Sequence, residues 1–205
     1  MTAAIAFAHN GFDVHVFEQA DQLTELGAGI GLSPNALNVL RALGVEDDVR
    51  MRGSVPEAIV GCDWTSGTEL FRVQLKNVVE SRFGAVNVQI HRGDLLKILA
   101  ANIPQSQIHL NSRCVAVSSS EHGAFLSFSD GRREPFDIVV GCDGIRSTVR
   151  ANTHGPELPQ FTGNMCWRAL VDVDQLPPEL VPPHVTNLSV REGMWSHTTF
   201  AAVRW

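Results

Sequence analysis

FDIVVGCDGIRSTVR, residues 136–150, is the stretch from which the fold is read. Phe136 and the unbroken apolar run Ile138, Val139 and Val140 lack the alternation of a half-exposed strand. They predict a strand buried on both faces inside a parallel sheet, stopping at Gly141. Gly141 and Gly144 bracket Asp143 in a turn, Ser147 stands at the N-cap position of a following helix, and Arg146 and Arg150 lie beside it. Free N–H groups and guanidinium groups suit a phosphate or pyrophosphate, and an Asp held in the turn suits the hydroxyls of a ribose or ribityl chain. The same residues also fit a plain turn, because Asp-Gly and an N-cap Ser are common and arginines near helix starts are often only solvated.

The totals bound the remaining possibilities. With 205 residues, 44% hydrophobic and 19% charged, the chain is long enough for one large or two small globular domains. A net charge of −6 without any Lys/Arg run argues against nucleic acid or an anionic membrane and for a small-molecule partner. Cys62, Cys114, Cys142 and Cys166 are far apart with no C-x-x-C, which points away from zinc and short disulfide frameworks and towards reduced thiols in a cytoplasm. The opening residues are apolar but lack a basic start, and His9 and Asn10 interrupt them, so neither a signal peptide nor an anchor is expected.

Upstream of the central stretch, residues 2–10 predict a helix closed by Gly11, followed by a short buried strand of Val14, Val16 and Phe17. Helix, glycine and strand form the second half of a βαβ unit, and Glu18 falls at the strand's carboxyl end, where an acid hydrogen-bonds ribose hydroxyls. A glycine fingerprint about 20 residues before such an acid is then expected just ahead of Met1, outside the chain. GAGIGL, residues 27–32, has G-x-G-x-G spacing and no buried strand before it, so it is expected to be a loop. That loop leads to Ser33-Pro34 and a helix with Ala36, Leu37, Leu40 and Leu43 inward, ending at Gly44.

Residues 52–88 change to short alternating segments, with Ser66-Gly67 as a hairpin turn between 58–64 and 69–75, which suggests an insertion carrying a small antiparallel sheet. VQIHRGDLLKILAANI predicts a strand and then a helix opening near Asp94 with Leu95, Leu96, Ile98 and Leu99 inward. Arg92 precedes that helix and could reach a phosphate or ribityl oxygen, or pair with Asp94; His91 alone reads as structural. Short strands are expected at 108–110, 114–118 and 124–129, the last turning at Asp130-Gly131. Gly155, Pro156 and Pro159 signal a linker, after which FTGNMCWRALVDV predicts a new strand, LPPELVPPH a loop and TTFAAVRW a strand-like end.

GCDGIRSTVR resembles the D-G motif, G-A-D-G-x-x-S-x-V-R, of the class A flavoprotein monooxygenases, the salicylate hydroxylase-like and 6-hydroxynicotinate monooxygenase-like aromatic hydroxylases. TAAIA with Glu18, the G-A-G-I loop, H-R-x-D-L and F-T-G-x-x-x-W-R, with Trp167 and Arg168, are similar to further family motifs in the same order. The resemblance implies an α/β fold: a Rossmann-like FAD-binding domain over 1–155, lacking its first strand and glycine loop, with a β-rich insertion around 53–88. The start of a mixed-sheet substrate domain would follow over 156–205. It also implies cofactor contacts from Glu18, Gln19, Gly29, Gly31, Arg92, Val115 and Asp143, with Glu18, Arg92 and Asp143 converging on one flavin-shaped cavity.

The implied activity is hydroxylation of a small aromatic substrate with FAD, NAD(P)H and O2, in the cytoplasm, with no metal, nucleic acid or membrane. No catalytic residue is assigned, and Gly31 stands where 6-hydroxynicotinate monooxygenases carry a catalytic His. G-x-G-x-x-G and the later G-D motif are missing, so an incomplete chain with weak or no FAD binding is expected, the alternative being an inactive fragment. An NAD(P)-dependent dehydrogenase is a third reading, and a chain with no Tyr lacks the Tyr-x-x-x-Lys chemistry it would use.

Overall fold

The computed structural model describes residues 1–23, 29–63, 65–121, 123–163, 165, 171–177, 183–189 and 197–199. In chain order its elements are α1 (Thr2–His9), β1 (Val16–Phe17), β2 (Gly29–Leu32), α2 (Pro34–Ala42), α3 (Glu46–Arg52), β3 (Ala58–Asp63) and β4 (Glu69–Gln74). There follow α4 (Val78–Phe83), β5 (Val88–His91), α5 (Arg92–Ala100), β6 (Ile108–His109), β7 (Cys114–Ser120), β8 (Gly123–Phe128), β9 (Arg133–Phe136), α6 (Thr148–His154), β10 (Val185–Ser189) and β11 (His197–Thr199). The fold is mixed α/β and divides into two compact units, each assembled from separated stretches of chain.

The first unit comprises the described residues within 1–10, 24–102 and 168–205. Its helices follow local signals. Ser33 and Pro34 open α2, which buries Leu37 and Leu40 and stops where Gly44 takes a left-handed φ of 75°. The Gly44 and Val45 N–H groups then donate back to the Arg41 and Leu40 carbonyls, closing the helix end. GAGIGL departs from the expected loop: its described part is strand β2, antiparallel to β5, with Gly29 opposite His91 and Gly31 opposite Gln89. A run of glycines carries no strand signal of its own, and the ladder to β5 supplies it.

The hairpin at Ser66-Gly67 is present, with Gly67 at a φ of 69° and β3 antiparallel to β4. It is joined to more chain than the expected insertion: β10 pairs β3 in parallel and β11 pairs β10, giving the sheet order β11-β10-β3-β4. Gly61 opposes Phe71, and a Cβ on Gly61 would fall 2.1 Å from that ring, so the glycine is what lets the aromatic lie across the strand.

The second unit comprises 11–23 and the described residues within 103–167. Here β1 runs parallel to β6, and β7, β8 and β9 form an antiparallel meander. Val117, Leu126 and Phe128 make the buried core, with Phe17, Phe136, Val139 and Val149 packed against it. The Phe17 ring lies 4.8 Å from both Phe128 and His109, within the range of favourable aromatic pairs.

The central stretch behaves differently from its sequence reading. Residue 136 ends β9, residues 138–140 belong to no strand, and Ile138 and Val140 are 56% and 51% exposed. Continuous hydrophobicity marks a strand flanked on both sides, and among the described residues no strand pairs with 138–140. Only Val139 is packed. The strand expected over 161–173 falls largely on residues outside the description, as do Trp167, Arg168 and the end of TTFAAVRW.

Candidate functional site

In the second unit the β1–β6 ladder continues past its last paired residues. The Glu18 N–H donates to the His109 carbonyl at 2.9 Å, and the Glu18 carbonyl accepts from Ser112 N–H at 2.8 Å. Glu18 is thereby fixed at the carboxyl end of β1, half-buried, beside an exposed Gln19. One carboxylate oxygen of Glu18 accepts the Ala20 N–H at 2.9 Å. A carboxylate has about four lone-pair sites, so most of this group's accepting capacity is left for ligand hydroxyls.

Asp143 is committed elsewhere. Its Oδ1 accepts the Ser147 hydroxyl at 2.5 Å, and its Oδ2 accepts the N–H groups of Thr148 at 2.6 Å and Val149 at 3.2 Å. Burial opposes the charge, but these hydrogen bonds outweigh it and hold the carboxyl below the usual range. The acid therefore fills the start of α6, where the sequence reading expects N–H groups open to a phosphate. Ser147 is the N-cap as expected, accepting the Arg150 N–H at 2.9 Å. Arg150 turns its guanidinium to the Ile145 carbonyl at 2.6 Å. Gly141 keeps its packing role, since a Cβ there would come within 2.6 Å of the Val149 side chain.

Val115 lies at a register shift in β7, where Cys114 opposes Phe128 and Ala116 opposes Ser127. The bulge turns its side chain outward, leaving it 51% exposed. Beside it, burial pushes the Cys114 thiol up, and the Asp143 charge adds to that effect against a hydrogen bond to the Ala116 carbonyl.

In the first unit the ladder brings Gly29, Gly31 and Arg92 together. The two glycines lie opposite His91 and Gln89, and Arg92 follows directly as the first residue of α5. Asp94 is only 3% exposed; its Oδ2 is 3.4 Å from His91 Nδ1 and its Oδ1 is 3.5 Å from Lys97 Nζ. Among the described residues, Asp94 Oδ2 and Gln89 Oε1 are buried without a hydrogen-bond partner. Unsatisfied buried oxygens cost about 1–3 kcal/mol each, so their survival here asks for a reason. Gln89 and His91 were missed as candidates from sequence, although the two-residue period of β5 already puts them on one face.

These arrangements suit part of a dinucleotide cofactor. Glu18 retains acceptors for sugar hydroxyls, and Gly31 leaves bare backbone to which a ring or sugar can approach closely. The start of α6 does not suit its pyrophosphate, because Asp143 fills it.

Comparison with known proteins agrees with this chemistry. A family profile described as FAD binding domain matches residues 1–191. The 6-hydroxynicotinate 3-monooxygenase of Bordetella bronchiseptica is 38% identical over 167 residues, covering 82% of this chain and 44% of that protein. The 3-amino-4-hydroxybenzoate 2-monooxygenase of Streptomyces cremeus is 34% identical over 213 residues, covering 99% of this chain and 53% of that one. The chain thus spans about half the length of these curated relatives. The crystal structure of Klebsiella pneumoniae HpxO with FAD and uric acid shares the fold, with a TM-score of 0.74 at 20% identity over 92% of this chain and 47% of that one. Matched along nearly its whole length, and alongside flavoprotein monooxygenase relatives, the chain belongs to the FAD binding domain family.

Proposed function

We propose that this chain is the FAD-contacting portion of a monooxygenase that hydroxylates a small aromatic substrate with NAD(P)H and O2. The observation that carries the reading is Glu18. Its carboxylate sits at the carboxyl end of the parallel strand β1 with accepting capacity left after the Ala20 N–H, in a chain of the FAD binding domain family. Glu18 and Gln19 would take the ribose hydroxyls, Gly29 and Gly31 would admit close approach, and Arg92 would face a phosphate or ribityl oxygen. Val115 offers an exposed apolar contact, and Asp143 has one lone-pair position left on Oδ1 for a hydroxyl. FAD, when bound, supplies electron transfer from NAD(P)H and activation of O2; the protein residues bind, orient and exclude water.

We further place the FAD portion in residues 1–155 and the beginning of the substrate portion in 156–205. The four-stranded sheet supports a substrate side that also draws on the 58–74 hairpin, since β10 and β11 extend that hairpin. A cytoplasmic setting is supported by free thiols at Cys62, Cys114 and Cys142.

The test is a fluorescence titration of FAD with the 205-residue chain. Glu18→Ala should weaken binding about tenfold, near 1.4 kcal/mol. Absence of binding at about millimolar FAD, or equal affinity in the variant, overturns the reading.

A further inference from the structure

We propose that Gln89 and His91, with Asp94 holding the His91 ring, form a binding site for a hydroxyl-bearing ligand on the glycine-lined face of the β2–β5 ladder. Along β5, Val88 and Ile90 are buried, so Gln89 and His91 share the opposite face. Their cross-strand partners are Gly31 and Gly29, which have no side chains to cover them. Two polar side chains therefore border a strip of bare backbone. The Gln89 amide folds over this strip: a Cβ on Gly31 would lie 3.1 Å from both its nitrogen and its oxygen.

The hydrogen-bonding inventory of this face is incomplete without a ligand. Gln89 Oε1 is buried and has no partner among the described residues. His91 Nδ1 faces the buried Asp94 carboxylate at 3.4 Å, while Lys97 lies 3.5 Å from the other carboxylate oxygen and favours its charged state. A carboxylate beside Nδ1 selects the tautomer with its proton on that nitrogen and leaves the Nε2 lone pair to accept. A ligand hydroxyl suits both groups, since it donates to Nε2 and both donates to and accepts from an amide. Gln89 and His91 are two residues apart on one strand, about 7 Å, so two hydroxyls of one ligand can reach them together. The inference rests on the flavoprotein reading only for the source of the hydroxyls, the ribityl chain of FAD or the ring of a hydroxylated aromatic acid.

Long-range proton–nitrogen NMR on the labelled 205-residue chain tests it, with the His91 signals assigned from His91→Gln. At pH 8 the expected result is the Nδ1–H tautomer at His91, shifting towards a mixture in Asp94→Asn. FAD, lumiflavin and 6-hydroxynicotinate are then titrated. A shift at His91 Nε2 with FAD and none with lumiflavin, which has no hydroxyl chain, assigns the ribityl source. A shift with 6-hydroxynicotinate assigns the aromatic one. In either case Gln89→Leu should weaken the responsible ligand at least fivefold, thermal melting confirming that the variant is folded. An Nε2–H tautomer in the wild-type chain, or His91 signals unmoved by both FAD and 6-hydroxynicotinate, overturns the proposal. Flavin anisotropy separates the two readings: FAD that binds without moving His91 removes this site and leaves the FAD reading standing. A shift with 6-hydroxynicotinate where FAD fails to bind does the reverse.

Discussion

The Asp143 carboxylate accepts the Ser147 hydroxyl at 2.5 Å and the Thr148 N–H at 2.6 Å, so the acid of the D-G turn caps the helix that follows it. One group satisfies two of the helix's orphan N–H donors and orients the N-cap hydroxyl that serves a third.

Asp143→Ala is therefore expected to loosen α6, lowering stability by about 1 kcal/mol, the usual loss for a removed cap. The effect has a defined pH window. The folded-state carboxyl titrates below the unfolded value of about 3.9, so its contribution is fully present above that pH and is lost as pH falls through the folded-state pKa. Urea denaturation of wild type and variant at pH 7 and pH 2.5 checks both parts: the gap should close at the lower pH.

Asp63 organises the β3–β4 turn through one oxygen, which accepts from the Thr65 hydroxyl at 2.5 Å and from the Ser66 N–H and hydroxyl at 2.9 Å each. The Thr65 hydrogen bond, followed by those from Ser66, lowers its pKa to about 2. A carbon-detected NMR titration should find that midpoint. Asp63→Ala should speed amide exchange at Ser66 and Gly67 while leaving the amides of α2 unchanged, and equal exchange in the turn would contradict this role.

Glu46 is buried at the start of α3, where Arg41 donates to its two oxygens at 2.5 and 3.0 Å and Arg50 lies 3.6 Å away. The Arg41 hydrogen bond, against the cost of burial, keeps its carboxyl below the usual range. Glu46→Gln should cost about 1–3 kcal/mol at neutral pH, the loss of a charge-assisted pair at a buried acceptor. Because the folded pKa is depressed, that difference should shrink as pH falls below about 4. Thermal melts across pH 3–7 follow it.

Gly31→Ala separates stability from ligand access. Its Cβ would meet only the far end of the flexible Gln89 side chain, at 3.1 Å, so the melting temperature should change by no more than a few degrees. A methyl group on the approach face should still weaken FAD about five- to tenfold in the fluorescence titration, about 1 kcal/mol. Unchanged affinity would remove Gly31 from the contact set.

Much of the secondary structure was legible in the sequence because its signals are local. Gly11 and Gly44 adopt the left-handed φ that ends α1 and α2, Ser147 caps α6, and Ser66-Gly67 turns the β3–β4 hairpin. Glu18 at the end of β1 was legible for the same reason, since a helix, a glycine and a short strand place it. The family was legible in the order of five short motifs, and the match over residues 1–191 bears that out.

What the tertiary structure alone decided depended on partners distant in the chain. Residues 138–140 have the composition of a central strand, but a strand exists only where another strand completes its ladder, and among the described residues none does. GAGIGL has the composition of a loop, and pairing with residues 88–91 makes its described part β2. The direction of the Asp143 carboxylate, the His91–Asp94 contact and the Gln89 oxygen without a partner were likewise settled by geometry. Helix caps and tight turns are set by a few consecutive dihedral angles, whereas ladders and side-chain partnerships are set by which surfaces meet once the chain has collapsed.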